Sequence, residues 1–231
     1  MGFLYFDEYY LILCVPAIIL SLIAQWRVKS SYSRFSQVRN VRGLTGADAA
    51  RRVLGFYGIS DVRIERVSGK LSDHYDPAAK VIRLSSGVYD GISIASVGIA
   101  CHEAGHAAQH AEEYFPIKVR NAVIPVTRFG SSAGLFIAIA GYIFGFEPLI
   151  SIGLLLYFFI VIFQFVTLPV EFNASSRALK VINETNMLTA DELPQAKKML
   201  TSAAMTYVAA LIVSFAQFLR LFLRLNSRSR R

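Results

Sequence analysis

The chain has 231 residues, of which 54% are hydrophobic, 13% aromatic and only 17% charged, with a mean hydropathy of +0.45. That balance excludes an ordinary soluble domain and points to an integral membrane protein. The net charge of +8 does not require a nucleic-acid partner, because a basic loop beside anionic lipid accounts for it.

In chain order, the first apolar run extends from about Tyr9 to Trp26, with Tyr5, Tyr9 and Tyr10 at one interface and Trp26 at the other. Asp7 and Glu8 precede it and Arg27, Lys29 and Arg34 follow. This is the reverse of a signal peptide, so the run reads as a retained anchor. The next hundred or so residues are long enough for a small domain. Thr45 caps an Ala-rich amphipathic helix that stops at Phe56-Tyr57-Gly58. Asp61 to Val67 alternates as a strand, Leu71 to Pro77 reads as a turn, and Lys80 to Leu84 as a second strand. A helix then runs from about Ser93 to Glu112, with Gly91 and Ser93 as capping residues. Two further spans, Val123 to Phe146 and Pro148 to Leu168, form a membrane hairpin around the turn Gly145-Phe146-Glu147-Pro148. Gly130, Gly134, Gly141 and Gly145 give the second span the small-residue spacing of close helix packing. A last apolar stretch, about Ala203 to Leu223, carries Gln217 and Arg220 and ends in Arg224, Arg228, Arg230 and Arg231.

Lysines and arginines orient these spans. Arg27 to Arg120 contains fourteen of the twenty-four, and the turn near Glu147 contains none. The segment between the first span and the hairpin is therefore expected in the cytoplasm and the hairpin tip outside. Four crossings would leave the Arg-rich tail outside with the acidic N-terminus, against that bias, so either the tail is translocated or the last helix does not span; the length of the stretch favours crossing.

The stretch His102-Glu103-Ala104-Gly105-His106 carries the chemistry. Four residues apart on a helix, the two imidazoles share a face and can grip one Zn²⁺, with Glu103 about 100° round, beside water at the metal. Zinc makes that water acidic and polarises a carbonyl, and Glu103 can serve as general base and later proton donor. A third protein ligand is required. His110 lies about 80° from His102, and the metzincin pattern would need histidine where Glu112 stands. Glu171, where the third span leaves the membrane, is the better candidate, because a carboxylate there needs water, a partner or a metal. The hairpin returns it to the side where His106 left. Cys101 adjoins His102 and points off the ligand face; with Cys14 it reads as a buried thiol rather than half of a disulfide. His74 reads as part of a surface turn, within reach of a substrate, and Arg177 as either oxyanion support or a partner for lipid phosphate.

The expected fold is a mostly α membrane protein with about four transmembrane helices and a small α+β zincin-like cytoplasmic domain. Residues 1–26 form the first transmembrane helix, 27–122 the zincin-like domain, 123–168 the hairpin, 169–202 a cytoplasmic helical segment with the third zinc ligand, and 203–231 the fourth helix and basic tail. The expected location is the cytoplasmic membrane, and the partners are the bilayer and a peptide or membrane-protein substrate. Two rivals use the same residues: a zinc hydrolase of non-peptide amides or esters, and a zinc-stabilised scaffold indifferent to Glu103.

Several segments together resemble the neutral zinc metallopeptidase family of membrane proteins. They are Gly43-Leu44-Thr45-Gly46, Asp73 to Pro77, Val81 to Ser85, His102 to Ala107, Arg120-Asn121 with Pro125, and Pro169 to Ser175. The resemblance covers nearly the whole chain and implies a peptidase. More distantly, Glu171-Phe172-Asn173-Ala174 is similar to the Glu-x-x-Ala-Asp helix of the CaaX prenyl protease and HtpX gluzincins. That likeness implies Glu171 as third zinc ligand, with Ser175 standing where those helices carry aspartate.

Overall fold

The computed structural model describes residues 7–229, with the side chains of 128–133, 135, 142 and 225–229 outside the description. A π-helical turn, Tyr10–Cys14, leads into α1 (Val15–Phe35). Then come α2 (Gly46–Phe56), β1 (Arg63–Val67), β2 (His74–Asp76), β3 (Val81–Ser85), α3 (Ser86–Tyr89) and α4 (Ile94–Ala111). Three long helices complete the chain: α5 (Phe115–Phe144), α6 (Glu147–Glu184) and α7 (Leu193–Ser229). The protein is mostly helical, with one small sheet. Among the described residues three helices are long and apolar enough to cross a membrane: Tyr10–Phe35, Glu147–Glu184 and Leu193–Arg224. The expected second span, Val123 to Phe146, falls on α5 and lies partly outside the described side chains, as do Gly130 and the arginines of the tail beyond Arg224.

The chain divides into two compact units. One holds residues up to Gln25, Lys118–Leu168 and the chain from Thr206 onward. Within it α5 and α6 form a hairpin whose backbones nearly touch. A Cβ on Gly153 would lie 2.5 Å from the Ala138 nitrogen, and one on Gly141 would lie 2.7 Å from the Ile150 nitrogen. Only glycine permits that approach, as the small-residue spacing predicts. Gly145 makes the turn itself with a left-handed φ of +66°. The first and last helices meet through Cys14, Ala17 and Ala216. Asp7 accepts hydrogen bonds from Arg220, 3.1 Å at the closest, and from Arg224, while the Arg220 guanidinium lies 4.8 Å from the Tyr10 ring centroid.

The other unit holds Trp26–Ile117 and Pro169–Met205. Its sheet has the order β1-β3-β2, with β3 parallel to β1 and antiparallel to β2. β3 is central, and its Val81, Ile82 and Leu84 are fully buried. Each such side chain contributes about 1.5–3 kcal/mol on burial. The sequence reading of Leu71 to Pro77 as a turn is corrected at His74–Asp76, an edge strand in register with Val81–Arg83. Local polar contacts hold it there. Asp73 accepts from the Ser85 amide at 2.8 Å and Asp76 accepts from Arg83 at 2.9 Å, while Asp76 also closes the following turn on the amides of Ala78 and Ala79. The cap residues act as their types predict. Thr45 accepts from the Asp48 amide and Ser93 from the Ser96 amide, each satisfying an otherwise open first-turn donor.

Helix α4 is the centre of this unit. Its Val97, Ala100, Cys101, Ala104 and Ala108 are buried, and small side chains let α2 and α6 approach on different sides. The closest approach is at Gly105, where a Cβ would meet the Ala174 carbonyl oxygen at 2.6 Å. α6 does not stop where its apolar run ends. It continues through Pro169 to Glu184 as one helix, so Glu171 sits within a helix rather than at the start of a new one.

Candidate metal centre

The close contact at Gly105 sets one residue of α6 against the polar face of α4. His102 and His106, one turn apart, stand edge to face with ring centroids 4.7 Å apart. Both Nε2 atoms approach a single carboxylate oxygen, Glu171 Oε2, at 3.3 Å from His102 and 3.7 Å from His106. Four-coordinate zinc with ligand bonds of about 2.0–2.2 Å has ligand atoms about 3.4 Å apart. The observed spacings match that edge, and all three ligand atoms lie within 4.8 Å of one another. Two nitrogens and one carboxylate oxygen are a donor set suited to zinc, and three protein ligands leave a position open.

The Nδ1 atoms are engaged elsewhere, which gives the Nε2 atoms their role. His106 Nδ1 lies 3.0 Å from Gln109 Oε1. The Gln109 amide cannot be turned over, because its nitrogen donates to the Val170 carbonyl at 2.7 Å and to Asn173 Oδ1 at 2.9 Å. Gln109 Oε1 must therefore accept, which puts a proton on His106 Nδ1 and frees the Nε2 lone pair for a cation. His102 Nδ1 lies 3.1 Å from Ser175 Oγ, a hydroxyl able to accept in the same sense. Ser175 thus contacts one of the two histidines of the cluster.

Burial disfavours charge on His106, yet hydrogen bonding to Glu171 and the charges of Glu103 and Glu171 raise its pKa overall. Glu171 is 5% exposed. Burial works against its ionisation, but the hydrogen bonds and charges of His102 and His106 hold its carboxyl far below the usual range. A fixed negative charge beside two imidazoles is an electrostatic trap for a divalent cation. Glu103, part-exposed on α4, is close enough for its charge to act on His106.

His110 and Cys101, weighed as other ligands, and His74 and Arg177, weighed for contacts to substrate, an oxyanion or lipid phosphate, have other partners. His110 Nδ1 pairs with the Tyr75 hydroxyl at 2.8 Å, and burial pushes that phenol up to about 12. Cys101 is buried with its thiol 3.9 Å from Met187 Sδ, and desolvation alone raises its pKa. His74 is exposed and bonded to the Ser72 carbonyl. Arg177 is already engaged: it donates to Asn173 Oδ1 at 2.7 Å and Glu112 at 2.6 Å, between the rings of Tyr57 and Tyr114. Through Asn173 it continues the line Arg177–Asn173–Gln109–His106. Sequence reasoning missed Gln109, because a helical glutamine carries no signal of its own; its fully buried position supplies one.

Comparison with known proteins points to zinc as well. The profile of the family described as "Putative neutral zinc metallopeptidase" matches residues 10–226. The chain is 43% identical over 211 residues to a Bacillus subtilis (strain 168) protein named "Putative membrane protease YugP", covering 91% of this chain and 94% of that one. No solved structure matches the chain.

Proposed function

This chain belongs to the neutral zinc metallopeptidase family, and from that premise we propose that it is an integral membrane zinc endopeptidase. The observation that carries the reading is the convergence of His102, His106 and Glu171 on one point with Glu103 alongside. His102 Nε2, His106 Nε2 and a Glu171 carboxylate oxygen would hold Zn²⁺. When bound, zinc supplies Lewis acidity, which lowers the pKa of water and polarises a peptide carbonyl. Glu103 takes the proton from the attacking water and returns it to the departing amine nitrogen. Gln109 and Ser175 keep both imidazoles in the tautomer that presents Nε2.

The unit of Trp26–Ile117 and Pro169–Met205 is the zincin-like domain in this reading, and it faces the cytoplasm. The other unit is the membrane part, with four crossings. The Asp7 contacts to Arg220 and Arg224 support an even number, since they join the start of the first span to the end of the last. They also neutralise Arg220, otherwise a costly charge in a span.

The test is metal analysis and casein cleavage on the purified chain beside a Glu103→Gln variant. The parent should hold about one Zn²⁺ and cleave; the variant should keep the metal and lose roughly 10²–10⁴-fold in rate. A variant that cleaves as fast as the parent would overturn the assignment of Glu103, and a parent that holds zinc without cleaving would favour a zinc-stabilised scaffold.

A further inference from the structure

We propose that the unit of Trp26–Ile117 and Pro169–Met205 holds an anionic phospholipid in a groove between α6 and the start of α7. Two cavities of about 680 and 460 Å³ adjoin there, sharing Pro194, Lys197 and Thr201. Lys180 and Lys197 line the larger, and Arg27, Lys197 and Lys198 the smaller. No aspartate or glutamate lines either one. All four cations are exposed, and among the described residues none forms an ion pair.

The rest of the lining is uncharged, more apolar than polar, with serine, threonine and asparagine among the apolar side chains. Phe172 is 45% exposed beside the larger cavity and Met205 39% exposed beside the smaller. A cluster of unneutralised cations around an oily floor suits a ligand with a phosphate at one end and hydrocarbon at the other. Its place in the chain selects a lipid over a free phosphate. Arg27 directly follows Trp26 at the end of the first apolar run, and Met205 lies in the opening residues of the last one, so both belong at headgroup depth. The hydrogen bond of 3.0 Å between Ser31 and Ser202 ties α1 to α7 beside the smaller cavity.

The experiment reconstitutes the full chain in phosphatidylcholine bilayers and titrates spin-labelled phosphatidylglycerol, reading the motionally restricted component. The parent should show saturable binding. Lys197→Gln with Lys198→Gln should weaken it about 30-fold, at roughly a kilocalorie per cation, and the corresponding pair of arginine substitutions should keep it near the parent. Equal restriction of spin-labelled phosphatidylcholine, displacement by inorganic phosphate or by a glutamate-rich peptide, or equal loss in the arginine pair would overturn the proposal. The readout is lipid retention, so it stands or falls separately from hydrolysis.

Discussion

Gln109 has no freedom of orientation, and that makes it the most informative single residue around the metal centre. Its amide nitrogen is held by the Val170 carbonyl and Asn173, so its oxygen can only accept from His106. Gln109→Met keeps the volume and removes all three contacts. It should lower zinc affinity by about 10–100-fold, the usual cost of losing the group that orients a ligand histidine, measured by competition with a chromogenic chelator. Unchanged affinity would mean that packing alone fixes the His106 ring. Glu171 makes a sharper case. Glu171→Ala should lose metal and activity nearly as completely as His102→Ala, whereas Glu171→Gln should retain some zinc through its neutral oxygen. A merely solvated acid would show neither effect.

Between elements, the decisive contact is α4 against α6. Helix α4 is built from alanine, glycine and serine over much of its surface, and at Gly105 a Cβ would stand 2.6 Å from the Ala174 backbone oxygen. A carbonyl cannot swing aside as a flexible side chain can, so the helices must separate. Gly105→Ala should therefore cost about 1–3 kcal/mol in stability and reduce zinc binding, because Glu171 lies three residues before Ala174 on the helix that is pushed away. Thermal denaturation with and without zinc checks both halves. An alanine variant with parental stability and metal content would show that α6 shifts without moving the carboxylate.

At the level of the whole molecule, the proposed orientation rests on the lysine and arginine bias. In a chain made cysteine-free by replacing Cys14 and Cys101, a single cysteine in the 68–76 segment should react with an impermeant reagent only from the cytoplasmic side. One near Glu147 should react only from outside. The reverse pattern would place the metal centre across the membrane. The pairing of Asp7 with Arg220 and Arg224 adds that a label beside Glu8 should share the side of the Glu147 label.

Within one element, sequence alone went far. The i, i+4 spacing of His102 and His106 fixed a shared face, Thr45 and Ser93 announced helix starts, and apolar runs marked the long helices, because helix geometry and hydropathy are local properties. The His110 spacing likewise argued that residue away from the cluster, and its partner is Tyr75. What lay beyond the sequence were contacts whose partners are far apart in the chain. The turn reading of His74–Asp76 failed because strand pairing there comes from β3 and from Asp73 and Asp76 gripping Ser85 and Arg83. Gln109 looked like an ordinary helical polar residue, and Arg177 like oxyanion support or a partner for lipid phosphate, until tertiary packing put Asn173 between them. Periodicity reports which face a side chain occupies. Only the folded chain decides what that face meets, because a hydrogen bond depends on a distance that neither residue's own helix sets.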